Sequence, residues 1–317
     1  MRPEGSALHG VGVVMLKEIA DHFSSIIIVI GVAVMAAIAV FVVSMGIGPI
    51  KDTTAEDPFL FLLLFTRSSP LSLPVLLSLI LVPALAIVLG FDAVSGEHNR
   101  RTLSRILSQP IYRDALLFGK VLGGLFTLAM TFILLWLLVI GLGLLGLGLP
   151  PNAEEMARAL VLLVITMIYG AFWFTLALLF SILFRSAAAA ILVSFGVWLL
   201  LTFLWPAMAP ALASSLVGAN DILGLLEVQQ AFARLSPVVL YNEIVAIVLD
   251  PSIRSTQQAV LAQLGLVMIE RGAVPQAPIP LLQSVLIVWP QIVGLVASSI
   301  LLFVIAYVVF QRQEVRA

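Results

Sequence analysis

Cysteine is absent from this sequence, and charged residues are scarce. Without cysteine there is no disulfide framework, thiolate nucleophile or cysteine-ligated metal site. Charged residues make up 10% and hydrophobic residues 62% of the 317 positions, whereas soluble domains average about 25% and about 45–50%. So few charged side chains could not cover this much apolar surface in water. The composition therefore predicts a membrane protein, and the net charge of −1 says little about partners.

The motifs of common catalytic sites are also missing. His9, His22 and His98 are far apart in the sequence, and there is no HExxH motif, so a zinc site is not expected. There is no GxSxG motif, and the Gly119-Lys120 pair lacks the rest of a Walker A sequence. We therefore expect that this chain is not an enzyme, does not hydrolyse ATP and carries no cofactor or metal.

Long apolar windows without charges predict the number of membrane spans. A helix needs about 20 predominantly apolar residues to cross about 30 Å of hydrocarbon. The runs are not alternating, and a segment in lipid must satisfy its own backbone, so they predict an all-α, polytopic membrane protein. Six windows qualify: Ser24–Met45, Leu71–Phe91, Val121–Leu149, Ala159–Phe184, Ala187–Met208 and Ser284–Phe310.

The distribution of lysine and arginine predicts the orientation. If both termini are inside, the inner segments contain ten of the sixteen basic residues, and the longer outer segments contain six. The positive-inside rule then places the N-terminus and the C-terminus in the cytoplasm of a multi-pass protein in the cell (plasma) membrane. The first apolar run is too long for a signal peptide, so we expect it to be retained as a helix.

These windows divide the chain into four segments. Between the last two windows, short apolar runs alternate with acidic residues, which predicts two to four short helices in a small cap outside the membrane. The predicted segments are an N-terminal amphipathic interfacial helix at 1–23, transmembrane helices one to five at 24–208 with a cytoplasmic loop at 92–120, an extracytoplasmic helical segment at 209–283, and transmembrane helix six with a cytoplasmic tail at 284–317.

The N-terminal segment has two interpretations. Leu8, Val11, Met15 and Ile19 fall at helical spacing, with Lys17 on the opposite side. This pattern is typical of an amphipathic helix lying in the inner membrane interface. The alternative is a cytoplasmic extension of the first membrane helix.

The central parts of all six predicted spans contain no Asp, Glu, Lys, Arg or His. Ion-coupled carriers and proton pumps usually place such residues at depth, because a charge in the bilayer is costly and is kept for function. The sequence therefore shows no means of drawing energy from an ion gradient. Either the protein is passive, or its energy arrives from a partner.

One polar strip, residues 92–120, interrupts the apolar sequence. It reads DAVSGEHNRRTLSRILSQPIYRDALLFGK and contains five of the sixteen basic residues. Leu103 and Leu107 fall on one helical face, and Arg101 and Arg105 fall on the opposite face. A short amphipathic helix with a charged outer face suits docking into a cleft on a soluble domain. The alternative is a basic anchor for anionic lipid headgroups.

The strip resembles the signature of ABC-2-type permeases, the membrane subunits of ABC exporters. In that family the signature runs roughly Asp, Glu, Gly-Thr-Leu, Leu-Ser-x-Pro-Ile-x-Arg and Gly-Lys; Arg101 stands where glycine is usual. LSPVVLYNEIVAIVLDP resembles the outer segment of the multicopper-enzyme-maturation permease group, and weaker matches extend the likeness over nearly the whole chain. The matching signature positions are Asp92, Glu97, Thr102, Leu103, Leu107, Ser108, Pro110, Ile111, Arg113, Gly119 and Lys120.

The resemblance implies a permease subunit of an ATP-driven ABC transporter, an exporter, paired with a second permease copy or a paralogue. A separate ABC ATP-binding subunit would bind ATP and Mg²⁺; membrane lipid is the other expected partner, and nucleic acid is not. In the family, the loop between the second and third spans is the coupling helix. The residues that would couple to the ATPase are Glu97, Arg101, Thr102, Arg105, Pro110 and Arg113.

A rival interpretation is a passive channel, or a non-transporting membrane anchor subunit of a complex. It predicts that no ATPase partner exists. The apolar spans hint at a lipid-like or hydrophobic substrate, although lipid-facing residues give the same signal.

Overall fold

Every regular element in the described part of the chain is helical. Six helices are long and apolar enough to cross a membrane, which confirms the predicted all-α polytopic membrane fold and its number of spans. The structure, a computed structural model, describes residues 7–51, 59–66, 72–99, 112–217, 222–256 and 278–312.

The six spans are α2 to α6 and α10. Two of them, α4 and α5, have 35 and 31 residues, more than the about 20 that hydrocarbon requires, so both extend beyond an apolar layer. The helices are α1 (Ala7–Ser24), α2 (Ile26–Lys51), α3 (Leu73–Glu97), α4 (Arg113–Leu147), α5 (Ala153–Leu183), α6 (Ala187–Leu216), α7 (Ile222–Ala233), α8 (Pro237–Leu249), α9 (Leu281–Ile287) and α10 (Trp289–Arg312).

The spans alternate in direction, so the bundle has two distinct ends. One end, which we call the α1 face, contains α1, the C-terminal ends of α3, α5 and α10, and the N-terminal ends of α4 and α6. Contacts between Val94 and Ser181 and between Asp114 and Tyr307 join these ends. The opposite end, the α9 face, contains the end of α4, the start of α5 and α9.

Helix α1 packs lengthwise along the first turns of α4. A Cβ placed on Gly119 would lie 2.6 Å from Val14 Cβ, and one on Gly123 would lie 2.8 Å from Glu18 Cβ. His22 follows at the next step, with Nδ1 3.0 Å from an α4 hydroxyl, Thr127 Oγ1. Because the pairing advances four residues on both helices at each step, α1 and α4 run parallel.

The interfacial helix predicted for 1–23 and its alternative, an extension of the first span, both stay predictions, because this packing is defined relative to α4 and not to a membrane. Ser25 alone separates α1 from α2, and near the far end of α4 the α2 residue Ile47 lies against Gly146. Both helices therefore follow the same side of α4. The small side chains of α4 allow the close approach that such packing needs.

Helices α7 and α8 meet at a bend of 111° and enter the bundle from the α9 face. Ser236, at their junction, donates from Oγ to the carbonyl oxygen of Leu201 at 2.6 Å, halfway along the 30-residue α6. Tyr241 stacks on Tyr169 of α5 with ring centroids 4.5 Å apart, and its hydroxyl lies 2.9 Å from Thr166 Oγ1. The junction of the two helices thus lies at mid-depth among the spans.

The structure differs here from the predicted cap over 209–283. Residues 209–216 continue α6, and α8 is buried among α5, α6 and α10. A 13-residue apolar helix is too short to span, but a helix that turns back inside the bundle does not have to. Residues 218–221 and 257–277 of the predicted cap lie outside the described residues.

Two spans contain a π-helical stretch at this depth, Leu77–Leu81 in α3 and Leu200–Leu204 in α6. Such stretches free backbone carbonyl groups from their regular partners, and lipid offers no replacement. Side chains supply it: Trp198 Nε1 donates to the carbonyl of Leu79 at 3.1 Å, and the Tyr169 hydroxyl to that of Ser78 at 2.6 Å. The irregular turns are therefore held by neighbouring helices.

Candidate functional site

A buried lysine joins three helices at the α1 face. Lys120 Nζ, on α4, lies 2.9 Å from Glu18 Oε1 on α1 and 2.7 Å from Glu97 Oε1 at the end of α3. Its side chain is only 2% exposed. The half-exposed Lys17 also contacts Glu18, at 2.9 Å, and Glu97, at 3.6 Å. We call Lys17, Glu18, Glu97 and Lys120 the ion network.

The start of the 92–120 strip is held in place by α5. Ser181 Oγ accepts hydrogen bonds from the backbone N–H groups of Val94 and Ser95, both at 3.0 Å. These contacts fix the N-terminus of the short helix Ser95–Asn99, which presents Glu97 to the ion network. A side chain at Gly96 would collide with the carboxylate of Asp92.

The end of the strip is held by α10. Asp114, in the first turn of α4, accepts hydrogen bonds from the Tyr307 hydroxyl at 3.1 Å and from Gln311 Nε2. The strip therefore returns to the bundle at two anchored points. Glu97 connects the start of the strip to α1 and α4, and Asp114 connects the end of the strip to α10.

The charges of the network shift the pKa values of the α1 residues. Burial acts to raise the pKa of the Glu18 carboxyl, but the ammonium groups of Lys120 and Lys17 outweigh it and hold that pKa below its usual value. Burial acts to lower the pKa of Lys17, and its contacts with Glu18, Asp21 and Glu97 together raise it. Glu18 and Lys17 are therefore both ionised at neutral pH.

A cleft of about 490 Å³ opens beside the ion network, between α1–α2 and α3. Its polar end is lined by Lys17, Asp21 and Asp92, and its apolar end by Ile28 and Val88. Such a cleft can admit water or a polar headgroup at the edge of the apolar layer. Within the described part of the chain, no three His, Cys, Asp or Glu side chains come together as a metal site would require.

The structure places only part of the predicted ATPase-coupling set. Glu97 belongs to the ion network, and Arg113 is the first residue of α4. Arg101, Thr102, Arg105 and Pro110 lie outside the described residues, so the ATPase contact of the set stays a prediction.

No sequence pattern pairs Lys120 with Glu18. Lys120 was matched to a family signature, but 102 positions separate it from Glu18, and no local periodicity pairs residues over that distance. The available signal was a lone lysine beside an apolar span, since such a charge needs a partner when buried.

A second polar cluster lies inside the bundle, where α7, α8 and α10 meet. Glu243 is 1% exposed and accepts hydrogen bonds from Arg234 Nε at 3.2 and 3.0 Å, Gln230 Nε2 at 3.3 Å and Gln291 Nε2 at 2.9 Å. The predicted absence of charge at depth holds for the span centres, but the re-entrant pair adds a carboxylate and a guanidinium. The absence of charged residues from the span centres therefore does not mean that the inside of the bundle has no charged groups.

The position of His22 predicts a pH-dependent docking of α1. Burial is the main cause that lowers the pKa of His22, so the docked helix favours the neutral ring. Its contribution is fully present above the ordinary pKa of about 6.5 and is lost as pH falls from there through the lower pKa of the docked ring. After correction for intrinsic rates, hydrogen exchange across α1 should be faster at about pH 5.5 than at about pH 7.5. His22→Gln should abolish this difference; an unchanged difference would assign the pH dependence to another group.

Six apolar spans, with both ends of the polar strip tied to them, define a multi-pass α-helical membrane protein. The sequence profile of the family described as ABC-2 family transporter protein matches residues 48–315. The chain belongs to this family, whose members are the membrane transport subunits of ABC transporters. The family agrees with the predicted ABC-2 permease, while the likeness to the multicopper-enzyme-maturation group stays a prediction. Comparison with curated protein sequences gave no significant match.

Proposed function

We propose that this chain is the permease subunit of an ATP-driven exporter, energised by a separate ABC ATP-binding subunit that docks on the 92–120 strip. The α1 face is then the cytoplasmic side, with both termini there. The observation that carries the proposal is the ion network, in which Lys120 ties Glu97 of the strip to Glu18 of α1. A docked ATPase that moved the strip would thereby move membrane helices.

The anchors of the strip give that motion defined routes. Displacement of Glu97 would act on α1 and α4 through Lys120, because a buried ammonium resists separation from its carboxylates. Displacement of the strip's end would act on α10 through Asp114. The bond from Ser181 to the strip's start adds α5. Arg101 and Arg105 of the strip are the proposed contacts for the ATPase.

The remaining partners follow from the same proposal. ATP and Mg²⁺ belong to the ATPase subunit, and no cofactor is assigned to this chain. Helices α2, α6 and α10 expose broad apolar surfaces, which fit membrane lipid and a second permease copy or paralogue. We assign export because the strip has the form of the ABC-2 exporter signature.

Charge reversal in the strip tests the proposal. Arg101→Glu with Arg105→Glu should abolish copurification of the cognate ATP-binding subunit, because losing buried charged contacts costs about 2–5 kcal/mol of binding. Pull-down and permease-stimulated ATP hydrolysis are the measurements. The matched control is Arg185→Glu, an exposed arginine at the α5–α6 turn of the same face, which should leave binding unchanged.

The outcomes separate the proposed function from its rivals. If the inserted double variant keeps full binding and stimulation, the strip is a lipid anchor and does not contact the ATPase. If the wild-type chain binds no ATP-binding subunit at all, the passive channel or anchor subunit is favoured.

A further inference from the structure

The guanidinium of Arg234 has an unused edge. Its Nε donates to both carboxylate oxygens of Glu243, while Nη1 and Nη2 have no partner among the residues that the structure describes. The Arg234 side chain is 33% exposed, whereas that of Glu243 is 2% exposed. The inner edge of the guanidinium is therefore fixed, and its outer edge points to the surface of the subunit.

This edge lies inside the apolar layer. Val248, near the end of α8, accepts a hydrogen bond from Arg158 in the charged layer of the α9 face. Glu243 precedes Val248 by five residues, which is about 7–8 Å of helix at 1.5 Å per residue. Arg234 sits deeper still, two residues before the mid-depth junction Ser236, and reaches back to Glu243. A guanidinium facing acyl chains at this depth is unfavourable.

The parts of α6 and α7 beside Arg234, together with the residue after it, expose four large apolar side chains. They are Leu200, Leu204, Leu226 and Leu235. Glu227 is also exposed, about two turns of α7 before Arg234. A polar edge beside such apolar side chains matches a ligand that carries one polar group and an apolar remainder.

We propose that Arg234, backed by Glu243, binds the anionic headgroup of an amphiphilic substrate, a phosphate or a carboxylate. Two free N–H groups on one planar edge are the donor arrangement that such oxyanions accept in bidentate fashion. Glu243 orients the guanidinium and balances its charge when no ligand is bound. The apolar part of the ligand lies along α6 and α7. This assignment rests on the proposed permease function and names the substrate class of that function.

Lipid retention tests the site on the full chain without any ATPase. The chain is purified in the presence of equal amounts of dioleoyl phosphatidylglycerol and dioleoyl phosphatidylcholine, and bound lipids are counted by native mass spectrometry. The wild-type chain should retain more phosphatidylglycerol than phosphatidylcholine. Arg234→Gln with Glu243→Gln removes the pair without leaving a buried charge, and it should lose one bound phosphatidylglycerol.

Three further variants separate binding from folding. Arg234→Lys keeps the charge but loses the planar fork, so retention should weaken without vanishing. Glu243→Gln alone should keep or increase retention, because the guanidinium is no longer neutralised. Arg254→Gln, which changes an exposed arginine beyond α8 at the α9 face, should change nothing. If the Arg234–Glu243 ion pair had only a structural role, the Arg234 and Glu243 variants would have lower thermal stability but unchanged lipid selectivity. That result would overturn the proposal.

A competition experiment distinguishes two sources of the anion. Displacement of the bound lipid by inorganic phosphate would show that the charge alone is recognised, whereas resistance would show that the acyl chains contribute; both require the Arg234 site. If the double variant instead changes the proportion of dimer seen by native mass spectrometry while lipid selectivity stays the same, the outer edge of Arg234 faces a second copy of the chain. The proposal then fails. Because no ATPase is involved, such a failure leaves the proposed coupling to an ATPase intact.

Discussion

Replacing Lys120 with methionine is expected to destabilise the folded protein by about 3–5 kcal/mol, because two largely buried carboxylates would lose their buried cation and keep only the half-exposed Lys17 of the ion network. The buried ammonium group of Lys120 contacts both Glu18 of α1 and Glu97 at the end of α3. Helix α1 should then separate from α4, and its hydrogen exchange should approach that of a free helix. Denaturant unfolding and exchange across Ala7–Ser24 are the measurements.

Lys17 provides the matched control for this prediction. It contacts the same carboxylate oxygens of Glu18 and Glu97, but its side chain is 51% exposed. Lys17→Met should therefore cost less than about 1 kcal/mol, as exposed pairs do. Lys120→Met combined with Glu18→Gln and Glu97→Gln should recover much of the lost stability, because no buried charge remains. Equal effects of Lys120→Met and Lys17→Met would show that burial of the network does not matter.

The sequence predicted the six spans because a segment in lipid must satisfy its own backbone, a requirement that each apolar run expresses locally. It did not predict the place of α8. A 13-residue apolar helix has the same pattern on a surface as in a core, and its burial depends on the stacking of Tyr241 on Tyr169, 72 positions away. Depth inside a bundle is a property of contacts between distant residues, and a hydropathy window contains none.

In the candidate sites, too, local sequence patterns were predicted and contacts between distant residues were not. Glu97 and Arg113 were predicted from a family motif, which records a functional requirement directly in neighbouring positions. Their relation to Glu18 was not, since it arises from the parallel packing of α1 on α4. The Glu243 cluster was missed because Glu243 and Gln291 come from separate helices, joined only when α7 and α8 turn back at Ser236.

Replacing Arg158 with alanine should be as damaging at the opposite end of the bundle. Its fully buried side chain donates to the carbonyl oxygens of Val248 and Ile279 at 2.7 and 2.6 Å, and to Glu154 Oε1 at 2.8 Å. Truncation would leave two buried carbonyls without donors, at about 1–3 kcal/mol each. The ends of α8 and α9 should loosen, and the unfolding midpoint should fall.

Two further variants serve as controls for Arg158→Ala. Glu154 is 40% exposed, so Glu154→Gln should cost less than about 1 kcal/mol of stability. The cost of Arg158→Lys should lie between those of Glu154→Gln and Arg158→Ala, because an ammonium group lacks the fixed fork with which the guanidinium reaches both carbonyls. The Arg158 and Lys120 clusters lie at opposite ends and share no partner, so the effects of Arg158→Ala and Lys120→Met on unfolding should add. If α8 kept its protection from hydrogen exchange in Arg158→Ala, the helix would be held by its aromatic and apolar packing, and the guanidinium would not be its anchor.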